Sequence, residues 1–188
     1  MKSERKTNPP RQYQFRAQLR AVTPAVWRRF VLPGHLPLRR LHEALQCVFD
    51  WHDQHPHHFK IGDEFYSLAL DLEEDADLLD EVSFRLDQVF RRSPMRAVYA
   101  YDFADGWAVD LVLEKITAGA AARPACLAGA EAAPPDGCGG PEGWDELRAA
   151  LDDPAHPAHA EYAARYDAEA VRRPFDPASV AERFAAFA

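Results

Sequence analysis

The sequence predicts an α+β protein: a mixed or antiparallel sheet of hairpins with one packed helix, a β-grasp-like start in the order β-β-α-β-β, and a C-terminal helical segment. Three observations carry this. Apolar and polar residues alternate strictly from Tyr13 to Ala21, and apolar residues recur at every second position in Ala97, Tyr99, Tyr101 and Phe103 and in Trp107, Val109, Leu111 and Leu113. A helical stripe, Leu38, Leu41, Leu45 and Val48, separates the first hairpin from the next strands. After Asp145 the helical pattern returns and continues to the last residues.

Residues 1–12 hold Lys2, Arg5, Lys6 and Arg11 with Pro9-Pro10 and no periodicity, which predicts a mobile basic lead-in. From Tyr13 onward one domain is expected: sheet and helix over 13–116, a Gly/Pro/Cys loop over 117–143, and helices over 144–188. Tyr13, Phe15, Ala17, Leu19 and Ala21 share one face of the first strand. Thr23-Pro24 turns the chain, and residues 26–32 return as a second strand with an arginine-bearing outer face. Pro37 suits the first position of a helix that runs to about Asp50. His57 to Ile61 and Glu64 to Tyr66 flank the two-residue turn Gly62-Asp63, and period two points His57 inward with Phe59 and Ile61. Val82, Phe84 and Leu86 read as a short strand. Asp105-Gly106 signals a type I′ turn between the strands bearing Tyr101 and Trp107. Asp145 and Glu146 suit a helix N-terminus ahead of Leu151, a second helix covers about Pro157 to Tyr166, and Asp176-Pro177 caps a last one.

With 188 residues, 47% hydrophobic and 28% charged, the chain can bury a proper core. No apolar run approaches the ~20 residues of a membrane span, and the polar N-terminus lacks a secretory signal, so the expected address is the cytoplasm, with no membrane partner. Cys47, Cys126 and Cys138 cannot all pair within one chain and are expected as thiols. The net charge of −8 is unevenly spread. Residues 1–40 carry ten Lys and Arg against Glu4 alone, and the rest carry twelve against twenty-nine acids. The acids concentrate in 71–81, with seven carboxylates in eleven positions. The basic hairpin therefore faces either nucleic acid or the chain's own acidic loop.

Four of the eight histidines fall between Trp51 and Phe59, with Asp53 nearby. His55 and His57, two apart, are candidate ligands for zinc or another transition metal, and Asp102, Asp105, Cys126 or Cys138 could add a ligand from elsewhere. The plainer reading makes His57 a hydrogen-bonded core histidine beside Phe59, since two histidines fall short of a full ligand set. Cys126 and Cys138 lack a CxxC and read more simply as thiols in a long loop. Asp102 and Asp105 suit general acid and base work, although turn chemistry accounts for Asp105. Arg16, Arg20, Arg28 and Arg29 are candidate phosphate contacts. No GxSxG, P-loop or dinucleotide fingerprint is present, which leaves esterase, NTPase and dinucleotide functions unsupported.

Several separated motifs carry a resemblance: Pro24-Ala25-Val26-Trp27-Arg28-Arg29, Trp51 with His55 and His57-His58-Phe59, Tyr101 to Trp107, Leu113-Glu114-Lys115-Ile116, and Cys126 with Pro134-Pro135 and Cys138-Gly139-Gly140-Pro141. In these the chain resembles the plasmid pRiA4b ORF-3-like family, a group also met as passengers of insertion elements, from about Tyr13 to Phe187. The resemblance implies an α+β domain and a link to mobile elements, and it implies no particular reaction. The family pattern has glycine at Ala104, histidine at Val109 and often cysteine at Ala133, so this member lacks two potential metal ligands.

The expectation is a non-catalytic binding or accessory module for an unknown protein or ligand. Its groove is expected among Trp51, His55, His57, Tyr101, Asp102, Asp105 and Trp107. The alternatives are a metal-dependent enzyme with a His/Asp or His/Asp/Cys centre, and nucleic-acid binding through the basic hairpin.

Overall fold

The computed structural model describes residues 10–68, 77–119 and 123–185. Alternation does what it predicts in strand β1 (Arg11–Leu19), where Tyr13, Phe15, Ala17 and Leu19 are buried and Gln14, Arg16 and Gln18 lie toward solvent. Strand β2 (Trp27–Pro33) pairs antiparallel with it. Helix α1 (Leu38–Phe49) follows, then the hairpin β3 (His57–Ile61) and β4 (Glu64–Ser67), turning on Gly62-Asp63. After a short strand β5 (Leu78–Asp80) and a one-turn helix α2 (Leu86–Val89) come the long strands β6 (Met95–Tyr101) and β7 (Trp107–Ala118) and the edge strand β8 (Ala125–Ala130).

Among the described residues these strands form one mixed sheet in the order β5-β4-β3-β6-β7-β1-β2-β8. Neighbours are antiparallel except β4 and β5, which run parallel. Helix α1 covers the sheet with Leu38, Leu41, Leu45 and Phe49, all fully buried, and each such side chain contributes about 1.5–3 kcal/mol by leaving water. The polar His42 and Gln46, one turn apart, occupy the same buried stripe.

Helix α3 (Gly140–Asp152), with Pro141 in its first turn, buries Trp144, Leu147 and Leu151. Short helices α4 (His159–Arg165) and α5 (Ala168–Arg172), a 3-10 turn (Pro177–Val180) capped by Asp176, and α6 (Ala181–Ala185) complete the C-terminal segment. It returns across α1 and β2, bringing the Phe184 ring to 6.4 Å from Phe30.

Four expectations about local structure need correction. The region 117–143 is not all loop: β8 pairs with β2 there. The strand expected at Val82, Phe84 and Leu86 is instead a turn leading into α2, with Val82 exposed. The turn after β6 spans residues 102–106 and is closed by the Gly106 N–H donating to the Asp102 carbonyl at 2.7 Å, so it is not a two-residue type I′ turn. The arginine face is wrong at one position, because Arg28 is 1% exposed and shares the inner face of β2 with Phe30 and Leu32. The lead-in to residue 9 and the acidic stretch 71–76 lie outside the described residues.

Candidate functional site

Helix α1 ends at Asp50, whose left-handed conformation (φ 60) turns the chain back so that the Trp51 N–H reaches the Gln46 carbonyl at 2.9 Å. A second left-handed aspartate, Asp53 (φ 54), lays its backbone and carboxylate against α1. Aspartate tolerates this conformation better than most residues, which is why two can occur within four positions.

The consequence is a closed ring of hydrogen bonds. The Asp53 N–H donates to Gln46 Oε1 at 2.8 Å, and Gln46 Nε2 donates to the Tyr99 hydroxyl at 2.9 Å. The hydroxyl oxygen is occupied as acceptor, so its proton goes to His42 Nδ1, 2.9 Å away. His42 Nε2 therefore carries the ring proton and donates to Asp53 Oδ1 at 2.8 Å. A backbone N–H, which cannot reverse, thus sets every direction in the ring. Burial, reinforced by His57 and Arg39, pushes His42 down to about 2, which agrees with a neutral imidazole. Burial likewise drives the Tyr99 hydroxyl well above its ordinary value.

A second buried pair adjoins the ring. His57 points inward from β3, its ring stacked on His42 with centroids 3.7 Å apart, and its Nε2 is 3.0 Å from Glu81 Oε2. Glu81 is fully buried because the parallel β4–β5 pairing carries it in, its N–H donating to the Ser67 carbonyl at 2.9 Å. Arg39 bridges the two parts, with Nη2 at 2.5 Å from Asp53 and Nη1 at 3.5 Å from Glu81.

His42, Asp53 and His57 each offer a ligand atom, and these atoms lie within 4.8 Å of one another. The donor set does not suit a metal ion as arranged. The imidazole planes are only 22° from parallel, so lone pairs directed along those planes do not meet at one point. Metal on His42 Nε2 would move the proton to Nδ1, against the Tyr99 hydroxyl that already donates there.

The expected ligand pair divides. His57 enters the core, whereas His55 Nδ1 lies 3.4 Å from Asp102 Oδ2 and its ring meets the edge of Tyr101. The carboxylates of the β6–β7 turn serve the turn and its neighbours. Asp102 accepts from the Ala104 and Asp105 N–H groups, and Asp105 accepts from the Gly139 N–H at 3.0 Å. Gly140 is needed there, since a Cβ would lie 2.1 Å from the Asp105 carbonyl oxygen. Trp51 stacks on Tyr101 at 4.8 Å, reaches within 5.9 Å of Trp107, and donates to the Pro134 carbonyl at 3.0 Å. The three stretches meet, but they fill the space between them: Trp51, His57, Tyr101, Asp102 and Trp107 are buried and do not line an open groove.

The cysteines belong to different elements. Cys126 lies in β8 against the Arg29 carbonyl, and Cys138 lies just before α3. Burial pushes the first thiol up to about 11; burial and Asp105 push the second up to about 12, so both are protonated near neutrality. Of the arginines, Arg20 pairs with Asp110 and Arg29 grips both oxygens of Glu114, so their partners among the described residues lie on β7. Arg16 lies 5.0 Å from the Trp27 ring. Arg28 donates to the carbonyls of Trp27, Val48, Ala130 and Glu131, which takes it off the outer face of the basic hairpin.

An open cleft of about 410 Å³ lies next to this centre, between the end of α1, the 132–136 segment and the C-terminal helices. Arg28, His52, Asp136, Tyr166 and Phe175 are among its walls. None of these but Arg28 and His52 is suggested by a sequence motif, because the cleft is made by chain segments far apart in the sequence, residues 48–52, 132–136 and 166–183.

The fold and this centre define an α+β class: a mixed sheet with a histidine–carboxylate network buried under its first helix. The model of the plasmid pRiA4b ORF-3-like protein family matches residues 11–183, and the chain belongs to that family. It is 35% identical over 141 residues to the uncharacterized protein y4hQ of Sinorhizobium fredii, covering 74% of this chain and 73% of that one. The crystal structure of a protein of unknown function, MM3350 from Methanosarcina mazei Go1, superposes with a TM-score of 0.79 at 28% identity, covering 93% of this chain and 99% of that one.

Proposed function

We propose that this protein is a non-catalytic binding or accessory module, one domain from about residue 13 onward, acting in the cytoplasm in the setting of plasmids or mobile elements. Its ligand or partner segment occupies the cleft beside Phe175 and the 132–136 segment. One observation carries the reading: the histidine–carboxylate centre is buried and satisfies its own hydrogen bonds in a ring of fixed direction, leaving His42 neither a free lone pair nor an unengaged N–H. A catalytic base needs access to the proton it takes, whereas the cleft is open to solvent.

The second reading is a metal-dependent enzyme, favoured by the approach of His42, Asp53 and His57 ligand atoms within 4.8 Å. Metal analysis of protein purified without a histidine tag separates the two. The binding-module reading expects well under one equivalent of zinc or iron, unchanged in His57→Asn, which keeps a donor toward Glu81. One equivalent of metal, lost in that variant while the circular dichroism is unaltered, overturns it.

A further inference from the structure

Arg28 is a buried cation without a counter-ion. It is 1% exposed, its donors meet only backbone carbonyls, and no carboxylate lies within ion-pair distance of it among the described residues. The rings of Phe175 and Phe49 lie 3.8 and 5.5 Å from the guanidinium carbon, and the Glu131 carboxylate favours the charge from beyond ion-pair distance. Buried charges are ordinarily paired, because carbonyl dipoles only partly replace the water that is lost. Arg28 also lines the cleft.

The other walls have the same bias once their internal partners are counted. Each acid there is engaged: Asp50 with Arg183, Asp136 with His52, Asp167 with the N–H groups of Glu169 and Ala170, and Asp176 with the Ala178 N–H. Most of the groups left over can donate: Tyr166 OH and Arg183 Nε are buried without a partner, as is one acceptor, Asp136 Oδ1, and the Arg173 side chain has no partner among the described residues.

We infer that the cleft takes a small molecule with an oxyanion head, carboxylate or phosphate, whose apolar part lies along Phe175 and Pro134. This rests on the cleft being the working site proposed above and adds its chemical preference. The anion gives Tyr166, Arg173 and Arg183 an acceptor and lies in the field of Arg28, which keeps its own donors on backbone carbonyls.

The test is an amide NMR titration of the full chain with inorganic phosphate, benzoate and benzamide at ionic strength matched with sodium chloride. Phosphate and benzoate are expected to produce saturable shifts over residues 166–176, with dissociation constants on the order of 1 mM, and benzamide none. Their relative affinities tell a phosphate from a carboxylate ligand. Arg173 is exposed, so Arg173→Ala should fold normally and bind about tenfold more weakly, while Arg173→Lys retains most of the affinity. If benzamide binds as well as benzoate, the anion preference is wrong and the cleft keeps its role. If all three probes leave these residues unshifted, the preference and the cleft's role fall together.

Discussion

Replacing Tyr99 by Phe removes one oxygen and strands two groups. The hydroxyl accepts from Gln46 Nε2 and donates to His42 Nδ1, each at 2.9 Å, and Tyr99 is fully buried, so no water stands ready to replace it. Each buried polar group left unpaired costs about 1–3 kcal/mol, which sums to roughly 2–6 kcal/mol for the pair. Against a total stability of about 5–15 kcal/mol this is a large loss, readily measured as a shift in the urea midpoint at unchanged slope. Tyr101→Phe is the internal control. Its hydroxyl accepts from the Gln54 N–H at a long 3.4 Å and lies beside the Asp136 carboxylate, so its loss should cost less than that of Tyr99, which strands two groups. Long-range proton–nitrogen NMR of the wild type should find the His42 proton on Nε2. A Tyr99→Phe loss below about 0.5 kcal/mol, or a proton on Nδ1, refutes the ring as described.

Acidification should act through His42. Its value falls from 6.5 to about 2 on folding, so the unfolded chain binds the extra proton first, and this group's stabilisation is complete above 6.5 and declines toward 2. Between pH values of about 7.5 and 5.5 the loss is about 1.4 kcal/mol, with His42 carbon shifts staying flat, and a His42 titration near its ordinary value would contradict this. Adjacent arginines should behave very differently in chemical unfolding. Arg29→Ala breaks a partly exposed pair with Glu114 and should cost under about 1 kcal/mol, whereas Arg28→Ala deprives four carbonyls of a donor and should cost more than about 3 kcal/mol. Equal losses would mean that Arg28 is not held inside. Gly129→Ala puts a Cβ 2.4 Å from the Phe175 ring and 2.8 Å from the Trp27 carbonyl. Phe175 must then leave Arg28, at a cost of about 1–3 kcal/mol, visible as altered ring shifts; unchanged shifts would refute the packing.

Much of the sheet was legible because one face of each long strand is buried. Tyr13 to Leu19, Ala97 to Tyr101 and Trp107 to Leu113 alternate for that reason, and the same period turned His57 inward. Strand β8 gave no such signal, since Ala125 to Ala130 offers small side chains to either face. Arg28 was misread on composition although its parity matched Phe30 and Leu32: period two assigns a face, and charge does not veto it. His42 lay four residues from Leu38 in the buried stripe, which was the available clue to the ring. Glu81 had none. One carboxylate among seven cannot be told from its neighbours until a parallel strand pairing carries it inside.

The position of β1 bears on how the chain is made. As the ribosome releases the first hairpin, one long edge of β1 has no neighbour, and the strand that will zip to it, Trp107–Ala118, emerges some ninety residues later. Until then an apolar ribbon with open backbone groups is available to other chains. Closing that seam is a contact of long sequence separation, which favours slow assembly, and a product truncated before residue 107 should be recovered in aggregates.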